Sequence, residues 1–242
     1  MTRLAQLHRE IVQCRACPRL VSWREEVGRE KRRAYRDWEY WARPVPGFGD
    51  ARAALAIVGL APGAHGANRT GRMFTGDSSG QFLYAGLYRA GFANQPAGET
   101  KDDGLCLSGA YIVAAARCVP PDNRPSPVEL SRCAAFLDRE LGLLPVRVLL
   151  ALGAIAWDAS LRHLKRRGFP IPRPSPAFAH GAQLSIPRAP VLLGCYHVSR
   201  QNTQTGKLTE AMWDQILARA KKLLSPASEE VGQWADATRR TS

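Results

Sequence analysis

The sequence predicts an α/β fold, a three-layer α/β/α sandwich built on a parallel four-stranded sheet. Apolar runs of strand length alternate along the chain with longer segments whose apolar residues recur at helical spacing. The apolar runs are continuous, which is typical of parallel strands that are buried on both faces. The four predicted strands are residues 53–58, 111–116, 146–152 and 191–196.

Length and charge limit the classes of protein to consider. The 242 residues and their 45% apolar content suit one substantial domain with an ordinary core. The 34 lysines and arginines outnumber the 21 aspartates and glutamates, for a net charge of +13. Such an excess attracts polyanions, most commonly nucleic acid. An anionic membrane is the alternative, but the sequence contains no basic amphipathic helix, lipidation signal, signal peptide or transmembrane run. We therefore expect a cytoplasmic protein.

The N-terminal segment combines a predicted helix, residues 3–13, with the sequence Cys14-Arg-Ala-Cys17. Two cysteines at this spacing suit a metal ion or cluster, because the turn aims both sulfurs in the same direction. A redox dithiol and two buried thiols are the alternatives. Residues 18–50 interleave aromatic and cationic side chains, a pattern that can bind single-stranded nucleic acid by stacking. We expect instead a helix or irregular cap whose aromatic rings pack inward.

A glycine-rich loop, residues 59–77, follows the first predicted strand and precedes a helix predicted over residues 78–92. Glycine permits positive φ and close approach of the backbone to a ligand, so a long loop of this kind is a candidate binding site. A mobile loop without a ligand is the alternative. The spacing matches neither a dinucleotide fingerprint nor a phosphate-binding loop. The glycines of this loop are Gly59, Gly63, Gly66, Gly71 and Gly76.

The later strands lead into loops of distinct composition. Residues 117–127 contain four prolines, which exclude both helix and sheet, and a helix is predicted to begin near Pro127. The third strand leads into a helix ending at Arg166 and into a basic, proline-rich loop, residues 162–176, that could lie on a phosphate backbone. The fourth strand leads into a polar loop, residues 197–207.

The chain closes on a helix predicted over residues 209–224 and a polar segment, residues 225–242. We expect one domain, residues 1–224, that includes an N-terminal helical segment, residues 1–50, followed by a frayed tail. Because the carboxyl ends of parallel strands share one edge of the sheet, the loops after the four strands should converge there into one site.

Four of the six cysteines form the pattern C-x2-C followed by C-x14-C. Four thiolates suit either a tetrahedral zinc ion or a [4Fe–4S] cluster, and the spacing does not decide between them. The remaining Cys106 and Cys195 fall near or within predicted strands, where we expect them to act as small buried apolar residues. The four candidate ligands are Cys14, Cys17, Cys118 and Cys133.

Four motifs stand out: Gly59-Leu-Ala-Pro-Gly63, Thr70-Gly-Arg-Met-Phe-Thr-Gly-Asp77, Arg117-Cys-Val-Pro-Pro-Asp-Asn-Arg124 and His197-Val-Ser. They resemble the motifs of the iron–sulfur uracil-DNA glycosylases. The longer stretches at residues 61–72 and 199–207 resemble, more narrowly, the family-5, or B-type, branch. The resemblance spans residues 14 to about 224 and includes the four cysteines. It implies the α/β/α fold of that family and a [4Fe–4S] cluster rather than zinc, held by the segment 1–50 together with Cys118 and Cys133.

The resemblance implies a pocket for a base that has been flipped out of the duplex. Phe74 would stack on the base, and Asn123 offers a donor and an acceptor to a uracil-like edge, although a turn asparagine is the alternative. His197 would donate to the base carbonyl as negative charge collects there, although a buried polar histidine is the alternative. The predicted pocket comprises Gly59, Ala61, Gly63, Phe74, Ala114, Asn123 and His197.

The sequence departs from its relatives in two places. The stretch Leu60-Ala61-Pro62 lacks the polar side chain that other uracil glycosylases use to hold water, and Ala114 stands where family-4 enzymes carry a uracil-reading asparagine. Asp77 is our candidate for positioning water or stabilising an oxocarbenium ion. The alternative is an N-cap for the following helix. The residues expected to hold DNA phosphates are Arg72, Arg200 and Lys207, although solvated charge is the alternative.

These inferences predict a monomeric, monofunctional glycosylase that hydrolyses the N-glycosidic bond of uracil in double-stranded DNA and leaves an abasic site. Because Ala114 is small, the pocket should be roomy enough for hypoxanthine and other deaminated bases. The protein should associate with the nucleoid through DNA binding. The alternative is an iron–sulfur nucleic-acid-binding protein without catalysis.

Overall fold

The computed structural model describes residues 2–225 and contains one mixed six-stranded sheet. Its strands, in the spatial order β1-β3-β2-β4-β6-β5, are β1 (Phe48–Gly49), β2 (Leu55–Gly59), β3 (Ala110–Ala114), β4 (Val148–Leu152), β5 (Gln183–Leu184) and β6 (Val191–Cys195). The predicted tail at residues 225–242 lies almost wholly outside the described residues.

The four central strands confirm the predicted parallel sheet. β3, β2, β4 and β6 are neighbours in that order and every pairing between them is parallel. Each is a continuous run of apolar residues that is buried on both faces. The prediction of a purely parallel sheet was wrong at the edges, where the two-residue strands β1 and β5 pair antiparallel to β3 and β6. Strands this short leave too little periodicity in the sequence to detect.

Helices cover both faces of the sheet, as predicted. They are α1 (Arg3–Gln13), α2 (Pro18–Glu30), α3 (Ala67–Thr70), α4 (Ser78–Arg89), α5 (Pro127–Gly142), α6 (Ala154–Arg166), α7 (Arg200–Gln204) and α8 (Glu210–Leu224). One face of the sheet packs against α4 and α8, which contribute Leu83, Leu87 and Trp213 to a single core. The opposite face packs against α5 and α6, which contribute Leu137 and Trp157.

The long helices begin where their capping residues predict. Ser126 and Glu129 form a reciprocal capping box at α5, with Pro127 in the first turn, and Thr209 caps α8. The helix after the glycine-rich loop ends three residues earlier than predicted, at Arg89. The four-residue α3 and five-residue α7 lie within predicted loops and are too short for an apolar period.

The aromatic residues of the N-terminal segment pack against the glycine-rich loop. The amides of Trp41 and Ala42 donate to the carbonyls of Arg69 and Asn68 at 2.9 and 3.0 Å. A Cβ on Gly71 would lie 2.8 Å from the Trp41 ring, so glycine permits this contact. The segment is therefore the inward-packed cap that we expected.

The two remaining cysteines behave differently from one another. Cys195 is fully buried in β6, as predicted. Cys106 is exposed, so its assignment as a buried residue was wrong. It lies before β3, in the segment whose residue Leu107 forms an isolated bridge with Ala93. Within residues 2–225, no helix is both long and apolar enough to cross a membrane.

Candidate active site

The carboxyl ends of the central strands bring the predicted loops together. Gly59 and Ala114 are register partners at the ends of β2 and β3, and the amide of Ala115 continues the ladder to the Gly59 carbonyl at 2.9 Å. On the other side, the amide of Gly153 donates to the carbonyl of Cys195 at 2.8 Å. Four loops therefore leave one edge of the sheet, as the parallel topology requires.

Phe74 lies over the end of β2. Its ring contacts Gly59 closely enough that a Cβ on this glycine would lie 3.0 Å from two ring carbons. The Phe74 backbone has a φ of 52°, a conformation that is unusual for a residue with a side chain. Its ring centroid lies 6.4 Å from that of His197, with the planes inclined by 39°. Phe74 and His197, two of the three side chains predicted to contact the base, are thus neighbours.

Asp77 caps α4 and faces the glycine-rich loop at the same time. Its Oδ1 accepts from the amide of Gly80 at 2.9 Å, so the cap interpretation is correct. Its Oδ2 lies against Gly63 and Gly66, and a Cβ on Gly66 would overlap this oxygen. Burial raises the pKa of the Asp77 carboxyl, while the amides of Gly80 and Ser79 and the charge of Arg69 oppose that rise. One carboxylate oxygen of Asp77 therefore caps α4, and the other oxygen faces the glycine-rich loop.

His197 lies just past β6, as the sequence predicts. A Cβ on Gly153 would lie 3.3 Å from the His197 Cβ, so the first glycine of the neighbouring loop makes room for the histidine. The side-chain amide of Asn202 donates to the His197 carbonyl at 2.8 Å and holds its backbone. Burial lowers the pKa of His197. Burial therefore favours the neutral imidazole, which has one ring N–H available to donate.

Asn123 occupies a more open position than the sequence led us to expect. It lies in a 3-10 turn, Pro121–Asn123, after β3, and both Asp122 and Asn123 have positive φ. Its side chain is exposed. The turn interpretation is therefore correct for its backbone, while Ala114 and Gly59 are buried as register partners at the ends of β3 and β2. Gly63 is partly buried beside Asp77. Ala61, which lies between Gly59 and Gly63 in the glycine-rich loop, is also partly buried.

Arg72 was wrongly assigned as a phosphate contact. Its guanidinium is 4% exposed and binds both carboxylate oxygens of Asp103, at 2.8 and 2.7 Å. Its Nε donates to Thr75 at 2.9 Å. An arginine buried in a bidentate ion pair joins two loops and is not available to DNA.

The other two predicted phosphate contacts are exposed. Arg200 is the first residue of α7, whose N-cap is Ser199. The ammonium of Lys207 lies 5.1 Å from the centroid of the Tyr196 ring. Both residues lie in the loop segment that follows His197, so their charges flank the candidate pocket.

The four cysteines of the predicted metal site line one small, largely enclosed space. They come from the turn between α1 and α2, the loop after β3, and α5. Burial raises the pKa of Cys118 to about 12 and also raises that of Cys133. Within residues 2–225, no group of three or more His, Cys, Asp or Glu side chains is arranged to hold a single metal ion.

Two buried arginines also line this space. Nη1 of Arg24 donates to Sγ of Cys118 at 3.0 Å and to the carbonyl of Cys14 at 3.2 Å. Nε of Arg24 and both Nε and Nη1 of Arg117 are buried and find no hydrogen-bond partner among the described residues. Unpaired cationic nitrogens around four sulfurs fit an anionic group in the space between them.

Sequence reasoning missed Arg69. It is 2% exposed, and its Cζ lies 4.0 Å from the ring centroids of both Tyr35 and Trp38. The only signal in the sequence was an arginine within the glycine-rich loop and aromatic residues more than 30 positions away. Nothing in that spacing pairs them.

The sequence of this chain is similar to those of several known proteins. The model of the family described as the uracil DNA glycosylase superfamily matches residues 46–221. A Type-5 uracil-DNA glycosylase of Thermus thermophilus is 55% identical over 211 residues, which cover 87% of this chain and 93% of that protein. A Type-5 uracil-DNA glycosylase of Pyrobaculum aerophilum is 42% identical over 210 residues, covering 87% and 88% of the two chains. A Type-4 uracil-DNA glycosylase of the same organism is 30% identical over 165 residues, covering 68% and 67%. The similarity is therefore stronger to the type-5 protein of that organism than to its type-4 protein.

Proposed function

The chain belongs to the uracil-DNA glycosylase superfamily, and from this premise we infer that it is a DNA-repair enzyme that removes uracil from DNA. It hydrolyses the N-glycosidic bond and leaves an abasic site. The observation that carries this inference is the placement of Phe74, His197 and Asp77 around one sheet edge, in a chain that is 55% identical to a named glycosylase.

The first step is to hold the flipped base. The Phe74 ring offers a flat face beside the small residues Gly59 and Ala114, which are adjacent at the strand ends. Stacking on an aromatic ring stabilises a base by about 1–3 kcal/mol whatever its identity. Asn123, exposed after β3, is the candidate for reading the base edge with its amide.

Bond cleavage leaves negative charge on the departing base. A neutral His197 beside Phe74 would donate its ring N–H to the base carbonyl, where that charge collects. The sugar develops positive charge at the same time. The Asp77 carboxylate would stabilise that charge or orient the attacking water with the oxygen that faces the loop.

The range of bases depends on what the end of β3 offers to a base. Ala114, the last residue of β3, carries no polar side-chain group, so it imposes no side-chain hydrogen-bonding pattern. We therefore propose that hypoxanthine and other deaminated bases are also excised.

The alternative function is a binder of damaged DNA without catalysis. Two labelled duplexes, one with a single uracil and one with a single hypoxanthine, are incubated with the protein and treated with alkali to separate the two functions. We expect a strand break at the uracil of the first duplex and at the hypoxanthine of the second. Binding of the duplex without breaks would favour the non-catalytic alternative, and breaks at uracil alone would contradict the roomy pocket.

We also propose that Cys14, Cys17, Cys118 and Cys133 hold a [4Fe–4S] cluster. The cluster would supply a structural cross-link, and the thiols with Arg24 and Arg117 around them fit its negative charge. The cluster would tie α1 and α2 to the loop that carries Asn123 and would thereby position that loop.

Anaerobically purified protein should therefore be brown, absorb broadly in the visible range and contain about four irons per chain. Cys17→Ala should increase the rate of proteolysis within residues 2–45 and should have a smaller effect on the excision rate. Cys106→Ala, at an exposed cysteine, is the matched control and should retain the full iron content. Colourless protein with stoichiometric zinc would contradict the assignment.

DNA binding should be mainly electrostatic. With a net charge of +13, the affinity for duplex DNA should fall steeply with salt, and each phosphate contact should add about 0.9 to the log–log slope. Arg200→Ala should weaken binding to matched and uracil-containing duplexes alike. It should also lower the log–log slope by about 0.9, the contribution of one phosphate contact. Arg52→Ala, 94% exposed near the opposite end of β2, is the control. A slope near zero would contradict this prediction.

A further inference from the structure

Arg69 is buried behind the candidate pocket and is not one of the residues assigned a role above. We propose that Arg69 is the positioning residue for Asp77, which it holds in place through the backbone of the glycine-rich loop and through its own charge. This inference rests on the proposed role of Asp77 in excision.

Two aromatic rings fix the guanidinium from the N-terminal segment. The Cζ of Arg69 lies 4.0 Å from the centroids of Tyr35 and Trp38. The rings stand almost perpendicular, at 81°, so they form a corner with Arg69 inside it. Cation–π contacts of this kind stabilise a charge without a carboxylate partner. They also keep the planar group in one orientation.

The same guanidinium joins two segments of the glycine-rich loop, one at His65 and one at Gly76. Its Nε donates to the carbonyl of His65 at 2.7 Å, and its Nη2 donates to the carbonyl of Gly76 at 2.8 Å. Gly76 immediately precedes Asp77, and a Cβ on Gly76 would overlap Nη2. The planar fork therefore sets the position of the backbone from which the Asp77 side chain extends. A lysine cannot reproduce two such bonds with fixed geometry.

The charge of Arg69 acts on Asp77 and is not neutralised by an ion pair among the described residues. Nη1 of Arg69 is buried and has no hydrogen-bond partner in this part of the chain. The groups that act on the ionisation of Asp77 are the amides of Gly80 and Ser79 from α4, the charge of Arg69 from α3, and the buried Tyr84, whose hydroxyl donates to the carbonyl of Met73. Arg69 is the only cation among them.

This arrangement predicts a specific pH dependence. Burial raises the pKa of Asp77, which favours the protonated and inactive form, and the charge of Arg69 opposes that rise. If excision requires ionised Asp77, the rate should fall on the acid side of the pH profile as this carboxylate takes up a proton. Removal of the opposing charge should move that acid limb to higher pH.

The experiment is the single-turnover rate of uracil excision against pH for the wild type, Arg69→Gln and Arg69→Lys, over the pH range in which circular dichroism shows each variant folded. Arg69→Gln should move the acid limb to higher pH. Arg69→Lys should leave the acid limb close to its wild-type position, because the charge remains, and should lower the plateau rate, because the two carbonyls are no longer held together. Arg69→Met replaces Arg69→Gln if the latter does not fold, with the same expected shift.

Arg72→Gln is the matched control, since Arg72 is equally buried in the same loop but is paired with Asp103. It should lower stability without moving the limb. If Asp77→Asn abolishes the acid limb of the pH profile but Arg69→Gln does not move it, the proposed role of Arg69 is wrong. The proposed role of Asp77 is then unaffected. If Asp77→Asn keeps both limb and rate, the role of Asp77 fails and this inference fails with it, while uracil excision by the wild type is unaffected.

Discussion

Asp77→Asn should lower the single-turnover rate of uracil excision about 100-fold or more and leave the fold intact. The amide oxygen of asparagine can still accept from Gly80, and asparagine is as good an N-cap as aspartate, so α4 should begin at the same residue. What disappears is the negative charge beside the developing positive charge of the sugar, and loss of one such electrostatic contact costs about 10²–10³ in rate.

Asp77→Ala separates the two roles of this side chain. It should lose the same rate and, in addition, about 1 kcal/mol of stability, because the cap is removed. A variant that unfolds more easily but excises uracil at the wild-type rate would show that Asp77 is only a cap. Catalysis would then depend on His197 and the surrounding backbone.

Glu140→Gln should destabilise the protein by about 3–5 kcal/mol, because it leaves a buried charge without its partner. Glu140 is fully buried in α5, and its Oε2 pairs with Nη2 of Arg117 at 2.6 Å. Its Oε1 accepts from the Tyr111 hydroxyl at 2.6 Å and from the Gly47 amide at 2.9 Å, and lies 2.9 Å from Nε2 of His8. Chemical denaturation monitored by circular dichroism measures the loss.

The matched control for this change is Arg139→Gln, one residue away. Arg139 pairs with Glu10 on the surface, where both side chains are about half exposed, so its loss should change stability little. Similar midpoints for Glu140→Gln and Arg139→Gln would contradict the assignment of Glu140 as the centre of a buried network.

The same network predicts acid sensitivity. Burial alone would raise the pKa of Glu140, but Arg117, His8 and Tyr111 outweigh it and lower the pKa to about 2, from an ordinary value of 4.5. A carboxyl whose pKa is depressed on folding contributes stability above its unfolded pKa and loses it as the pH falls. The contribution should therefore decline between about pH 4.5 and pH 2, and Glu140→Gln should lack this decline.

The central architecture could be predicted because its signals are local. Each of β2, β3, β4 and β6 is a continuous apolar run followed by a loop and a helix, and parallel pairing then requires their loops to share one edge. The positions of Phe74, Asp77 and His197 follow from that rule alone, since each lies in a loop after a strand. The edge strands β1 and β5 could not be found in this way, because two residues carry no periodicity.

Partnerships across the fold could not be predicted. Arg72 looked like an exposed cation in a polar loop, but Asp103 lies 31 positions away and binds it in the folded protein. Arg69 likewise stacks on Tyr35 and Trp38, which lie close to it only because the N-terminal segment packs against the glycine-rich loop. Charge and residue type are visible in a sequence, whereas burial and partner are properties of the fold.

The most direct test of this account is the release of free uracil from a duplex with one uracil, measured in a single turnover for the wild type and for His197→Leu, with a thymine-containing duplex as the control. The wild type should release uracil and leave thymine in place, and His197→Leu should be about 100-fold slower, because the donor to the departing base is lost. No release of uracil by folded wild-type protein that binds the same duplex, or release by His197→Leu at the wild-type rate, would contradict it.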